Sequence, residues 1–471
     1  MEQAIKNKTY VSDIDRSIYD VKDKVNASYK SAKGLTAGIV NEISLEKNDP
    51  SWMREFRQRA LKIYQDIKPP IWGPSLEGLH MEDIVTYVRP NTNMNLTWEQ
   101  VPTDIKNTFE RLGIPQAERT SLAGVGAQYD SEVVYHNVRE EVKSLGVIYT
   151  DMESALVEYE EMVKEHFMKL VTPSDHKFAA LHGAVWSGGS FVYVPPGVKV
   201  EIPLQSYFRL NAPGAGQFEH TLIIVDKGAD LHFIEGCSAP KYNVANLHAG
   251  CVELFVGEGA RLRYSTIENW SKNMFNLNTK RAVVEKNGVM EWVSGSFGSR
   301  VSYLYPMSIL KGENARMEYT GITFAGNGQN LDTGVKVVHA APGTSSHMSS
   351  KSISKDGGSS TFRSAVKIAA NAENSKSSVS CESLMLDDSS RSDTIPVMDI
   401  RNDKVDIGHE AKIGRISDET IFYLMSRGMS EVEAKAMVVS GFAEPIAKEL
   451  PLEYAVEMNH LIQLEMEGSI G

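Results

Sequence analysis

The chain carries three cysteines, Cys237, Cys251 and Cys381. They are too few and too odd in number for a disulfide framework, so each reads first as a free thiol. Cys381 has company at a suggestive distance. The pair His409-Glu410 follows it, with 409 − 381 = 28. Thiolate, imidazole and carboxylate together suit iron or zinc. Successive residues of a strand point to opposite faces, so only one of His409 and Glu410 can face Cys381 in a regular strand. Cys251 lies in AGCVELFV, an alternating run without polar company, and reads as packing. Asp387, Asp388 and Asp393 are carboxylates of the sort that β-helix polysaccharide enzymes use, but DDSSRSD reads better as a solvated turn. His339 and His347, in VVHAAPGTSSH, read as one turn-capping and one surface residue.

A spacing of 28 brings groups together only if the chain returns on itself with that period. After about residue 175 it reads that way. β-rich runs such as FVYVPPGVKVEIPLQSYFRL and TLIIVDKGADLHFIEG are separated by Gly-containing turns. The residues that follow the turns are Ala229, Ala260, Val289 and Ala315, spaced 31, 29 and 26 apart. Such a period suggests a solenoid, most simply a β-helix, which stacks equivalent residues ~4.8 Å apart. The Ser-rich stretch 345–392 interleaves Ile, Val, Phe and Leu, which favours continued solenoid over a flexible linker.

Helical patterns flank this core. Asp49-Pro50 resembles an N-cap and first helical residue, with Trp52, Phe56, Ala60 and Ile63 on one face. Thr150 to Glu153 resembles a capping box opening a stripe of Leu156, Tyr159, Val163, Phe167 and Leu170. Ser430 to Glu433 is a second one, with Gly441 as the expected stop. The expected organisation is a mainly helical region 1–174, a β-helix core 175–414 and a helical domain 415–471. The last is too small to bury much alone and is expected to dock on the solenoid or on a partner.

Forty-nine basic against 61 acidic residues give a net charge of −12, which argues against general nucleic-acid binding. No apolar run is long enough to span a membrane, and the polar N-terminus lacks a signal-peptide core, so the cytoplasm is the expected compartment. GxxxxGK[ST], HExxH, GxSxG and CxxC patterns are all absent, so ATP chemistry is not expected in this chain.

Longer segments carry a resemblance. FAALHGAVWSGGSFVYVPPGV, YFRLNAPGAGQFEHTLIIVDKGA, IEGCSAP, LDTGVKVVH, CESLML, GHEAKIG and LMSRGMSEVEAKAMVVSGF resemble the SufB/SufD family of the SUF iron–sulfur cluster assembly system, from about residue 40 onward. The resemblance implies a right-handed parallel β-helix between helical flanks. It also implies a scaffold for a transient cluster, of the [4Fe–4S] type, and not an enzyme. Cys237 then accepts persulfide sulfur. Cys381 and Glu410, with His409 adjacent, hold the nascent cluster. Arg209, Asn211, Glu268, Trp270 and Lys280 line a sulfur path, Glu268 standing where some relatives are expected to carry a neutral amide. The implied partners are the SufC ATPase on the C-terminal helices, SufD or a second copy of this chain on the core, and a cysteine desulfurase or its sulfur carrier. Reduced flavin is associated with such complexes. Two alternatives are a SufD-like structural partner without a cluster and a β-helix carbohydrate enzyme. Both thiols and the His-Glu-Ala segment favour the scaffold.

Overall fold

The computed structural model describes residues 20, 22–23, 27–92, 97–111, 122–450 and 452–466. Ten-residue alternating runs become strands that stack in parallel. Arg261–Trp270, Val289–Gly298, Arg316–Ala325, Ser345–Ser354, Lys376–Met385 and Asp406–Arg415 pair successively along one wall. A second wall faces it, and together they make a parallel β-solenoid of about 8 turns. The inward positions, among them Leu262, Tyr264, Met290, Trp292, Met317, Met348 and Val379, form the core. The register corrects one anchor of the expected period. Val289 pairs with Arg261, not Ala260, so the steps around it are 289 − 261 = 28 and 316 − 289 = 27.

The solenoid narrows along its length. The early turns have a corner between the short strands Val301–Leu304 and Met307–Leu310, whereas Asn330–His339 pairs with both as one continuous strand. Gly334 lies between the two pairings. A Cβ there would meet the carbonyl oxygen of Arg363 at 2.1 Å, so only glycine fits. Beyond it two walls lie close together and small hydroxyl side chains bridge them, as in Ser354 Oγ to Ser360 Oγ at 2.9 Å. The Ser-rich stretch is therefore solenoid.

The region before residue 175 holds helices, including Ala37–Glu46 and Ser51–Asp66, but also strands that its helical periodicity did not announce. The hairpin Gly124–Tyr129/Glu132–Val138 extends one wall through Leu204–Arg209. Ile148–Asp151 extends the other through Gly189–Val194, antiparallel, so both walls end here in antiparallel strands. Asp49 is not a cap. The helix starts at Ser51, and the buried Asp49 carboxylate instead accepts from Arg57 Nε at 2.6 Å. The stripe from Leu156 to Leu170 breaks at Tyr159 into Met152–Glu158 and Glu160–His166, with Asp151 as the N-cap.

At the other end, the Ser430/Glu433 capping box forms as expected. Its helix, however, runs through Gly441 and Pro445 to Ala447. Val439, Ala443, Ile446 and Ala447 bury against Ile234, Ile267, Val293 and Ile322 on the outer solenoid wall, and that packing overrides the local stop signals. The helix Asp418–Ser426 keeps Phe422, Tyr423 and Met425 exposed. The last two strands, Arg391–Ile400 and Asp406–Arg415, form an open end with Ile395, Val397, Met398, Ile400 and Ile413 exposed. Among the described residues, no helix is long and apolar enough to cross a membrane.

Candidate functional site

Alternation along each strand decides which side chains enter the solenoid. On Asp230–Ser238, Leu231 and Phe233 are core residues, so Glu235 and Cys237 also point inward. Cys237 pairs with Phe208 on one side and Glu268 on the other. From there the register runs Glu268, Ser296, Thr323, Ser352, Ser383. A neighbouring inward row runs Glu235, Thr266, Ser294, Gly321, Ser350, Cys381. A polar column thus joins the surroundings of the two thiols through the interior. Five rung spacings of ~4.8 Å make it about 24 Å long.

Its first part is charged. Lys280 Nζ lies 3.2 Å from Glu235 and 3.5 Å from Glu268, and donates to Thr266 Oγ1 at 3.1 Å. Tyr264 donates its hydroxyl to Glu235, and Asn276 Nδ2 donates to Glu268 at 2.6 Å. His248 bridges Asn276 and Glu219, and its ring packs 4.7 Å from that of Trp270. Burial alone would lower the Lys280 pKa, but Glu235 and Glu268 outweigh it and hold the ammonium above its ordinary range. Glu219 outweighs burial at His248 in the same sense. Burial first, then Glu235, Glu219 and Glu268, push the Cys237 thiol well up, with Lys280 opposing. A cavity of about 20 Å³ bounded by Thr266, Glu268, Lys280 and Ser294 has room for roughly one water.

The second part is a hydroxyl lattice. Ser352 Oγ lies 2.7 Å from Ser383 Oγ and 3.2 Å from Ser392 Oγ on the opposite wall, and Thr323 reaches Thr333 at 3.4 Å. Small hydroxyls suit a narrow solenoid for steric reasons alone. The buried Glu235–Lys280–Glu268 group does not follow from sterics, because desolvating three charges is expensive.

Cys381 is 1% exposed and lies across from Ala411, two residues beyond His409 on the same face. Its Sγ is 3.9 Å from His409 Nε2. Glu410 points the other way, exposed, with Lys412 Nζ at 3.0 Å. The structure therefore brings His409, not Glu410, to Cys381. Burial raises the Cys381 thiol to about 11.

Of the expected path residues, Glu268, Lys280 and Trp270 are inside; Trp270 packs with Cys237 and Phe208. Arg209 and Asn211 are not. Arg209 lies on the outer face of its strand and donates to Ser238 Oγ at 3.0 Å. Asn211 meets the backbone of Asp23, and its own N–H donates to Asp130 at 2.7 Å. Cys251 faces outward from the second wall. His339 is held by Thr344 and Ser346, and His347 by Ser378. Asp387 ties its own turn through Ser389 and Ser390, Asp388 meets Arg415 and Asp393 meets Arg391.

Sequence reasoning missed Glu219, Glu235, His248 and the Ser/Thr column. A usable signal was present. Cys237, Glu268 and Thr323 each stand eight residues after a turn alanine: 237 − 229, 268 − 260 and 323 − 315.

Known proteins now bear on this geometry. Residues 208–442 match the SUF system FeS cluster assembly SufBD core domain, and residues 40–206 match the SufBD protein N-terminal region. The iron-sulfur cluster assembly protein SufB of Bacillus subtilis (strain 168) is 51% identical over 459 residues, covering 98% of this chain and 99% of the relative. The chain belongs to the SufBD family. An iron-sulfur cluster assembly SufBD family protein of Staphylococcus aureus (strain MRSA252) is 51% identical over 453 residues, 96% of this chain and 97% of the relative. The two parts of the match adjoin, meeting inside the strand Leu204–Arg209.

Proposed function

We propose that this chain is a cytoplasmic scaffold on which iron–sulfur clusters are assembled from iron and persulfide sulfur and then passed to recipient proteins. The observation that carries the reading is the buried polar column between Cys237 and Cys381 in a member of this family. Cys237, as thiolate, attacks the terminal sulfur of a persulfide on a desulfurase or its carrier. The donor thiolate leaves and Cys237 holds the sulfane sulfur. Moving that sulfur on as hydrosulfide takes two electrons, which a partner must supply; reduced flavin is a suitable class of donor. The hydroxyl lattice offers hydrogen bonds to hydrosulfide.

Near Cys381, a thiolate and the His409 imidazole offer iron two ligands, with Glu410 one residue away. A cluster held in place usually has four thiolates, and three cysteines cannot supply them. Partner ligands complete the site, and the open end with Ile395, Val397 and Ile400 exposed is where SufD or a second copy would pack. The result is a loosely held [4Fe–4S] cluster fit for transfer. Anaerobic incubation of the chain with its coexpressed partners, iron and a sulfide source should yield a visible chromophore, and Cys381→Ser should abolish it. A chromophore unchanged by Cys381→Ser refutes the assignment.

The exposed Phe422, Tyr423 and Met425 suit docking of the SufC ATPase. Deleting 415–471 is a poor test because the later helices cover Ile234 and Ile267. Phe422→Asp with Tyr423→Asp should instead abolish copurification of the ATPase while leaving circular dichroism unchanged. Undiminished association would place the ATPase elsewhere.

A further inference from the structure

On the outer side of the second wall, His182, His220 and Cys251 offer ligand atoms that all lie within 4.8 Å of one another. All three are at most 1% exposed. His182 comes from the helix Lys177–Val185. His220 and Cys251 begin adjacent strands and pair directly in register. Cys251 packs with Phe167, Trp186 and Leu222, whereas Val252 and Leu254 face the core. The cluster thus lies between the solenoid and its helical layer, apart from the Cys237–Cys381 column.

Proton bookkeeping on the two imidazoles singles out this cluster. His182 Nδ1 is 3.0 Å from the Ala249 carbonyl, which can only accept, so Nδ1 carries the proton. Its Nε2 lone pair then faces His220 Nδ1 at 3.0 Å. With no cation between them, His220 must place its proton on Nδ1. Its Nε2 is then a lone pair 3.2 Å from a Glu253 oxygen, and that atom makes no hydrogen bond among the described residues. The Glu253 carboxylate cannot turn away, because backbone N–H groups of Met168, Leu170 and Val171 hold it. Moving the His220 proton to Nε2 resolves this conflict, since Nε2 then donates to Glu253. It also leaves two nitrogen lone pairs facing each other beside a thiol, an arrangement that a bound cation stabilises; the metal-free alternative is a proton on Glu253, whose carboxyl burial raises to about 7.

We propose that His182 Nε2, His220 Nδ1 and Cys251 Sγ form a three-ligand site for a borderline divalent metal ion of the zinc or ferrous class. Each remote ring nitrogen has an acceptor behind it, the Ala249 carbonyl or the Glu253 carboxylate, as metal-bound histidines generally do. Tetrahedral zinc with Zn–N of about 2.0 Å and Zn–S of about 2.3 Å places its ligand atoms roughly 3.3–3.6 Å apart, inside the observed envelope. Binding forms two M–N bonds and one M–S bond and releases one proton, from Cys251; the imidazole proton only changes nitrogen. The ion fastens the helix Lys177–Val185 to the solenoid wall. A fourth position admits only water or a small anion, because Phe167 and Trp186 cover the site.

The test uses the full chain with Cys237→Ala and Cys381→Ala, so that Cys251 is the sole thiol. It is produced in medium containing Co²⁺ and passed over a chelating resin, with folding checked by circular dichroism. The expected result is about one retained cobalt per chain with a sulfur-to-cobalt charge-transfer band. Adding Cys251→Ser should remove the band, and adding His220→Gln should remove the retained metal. Should the double variant not fold, retained zinc in the wild-type chain decides, with a loss of one equivalent expected for Cys251→Ser. A folded chain retaining no metal, a band surviving Cys251→Ser, or unchanged zinc content in that variant overturns the proposal.

Discussion

His409→Ala should cost the assembled complex most of its cluster chromophore, and Glu410→Gln should cost far less. His409 Nε2 and Cys381 Sγ are 3.9 Å apart on the inner face, while Glu410 is turned outward to Lys412. Loss of a direct ligand should exceed the ~10–100-fold effect typical of outer-shell partners, so His409→Ala should approach Cys381→Ser in severity. Because burial holds the Cys381 thiol up at about 11, iron must displace a proton to bind there, and cluster yield should rise with pH. The measurement is absorbance of the anaerobically reconstituted complex for each variant, with circular dichroism confirming the fold. The reverse order, Glu410→Gln severe and His409→Ala mild, would mean that the last strand changes register on docking. Asp406–Arg415 is an edge strand with little burial, and a slip of one residue exchanges the faces of His409 and Glu410.

The solenoid was legible because its signal is a repeat. Turn alanines at 229, 260 and 315 recur with the strands, and the Ser-rich stretch keeps its alternation. The single misplaced anchor, Val289 for Gly288, had consequences for the site. Counting eight from Val289 reaches Phe297, whereas the true register puts Ser296 beside Glu268. One residue of error turns a continuous polar row into an interrupted one. Helix ends were less legible, since Gly441 and Pro445 stop a helix only where nothing beyond them has a surface to cover. The placement of Arg209 could not be read from type at all. The family resemblance put it on the path, yet the strand's alternation puts it with Ser238 on the outer face, while Cys237, one residue before Ser238, points in. The choice between His409 and Glu410 was correctly posed as a matter of alternation, but its answer needed the register of the final strand.

Persulfide loading of Cys237 should accelerate in Glu235→Gln and slow in Lys280→Met. The nucleophile is the thiolate, and burial followed by Glu235 does most to suppress it, while Lys280 favours it. For a thiol held well above its usual range, the thiolate fraction, and with it the loading rate, should rise about tenfold per pH unit from about pH 7 to pH 9 without a plateau. Removing the Glu235 charge lowers that barrier; the gain is partly offset because a less basic thiolate is a weaker nucleophile. Gln keeps the shape of Glu235 and still accepts from Tyr264. Lys280→Met does the opposite and also leaves Glu235 and Glu268 buried without their cation. Breaking a buried ion pair from one side costs about 3–5 kcal/mol, so this variant should also melt markedly earlier. Lys280→Met with Glu235→Gln should recover part of both losses, since one uncompensated charge is then gone. Loading is followed by mass spectrometry after addition of a persulfide donor, and stability by thermal melts. The informative failure is Glu235→Gln that folds normally but loads more slowly. In that case Glu235 takes the proton from Cys237 as its base, and the carboxylate whose charge raises the thiol is also what activates it.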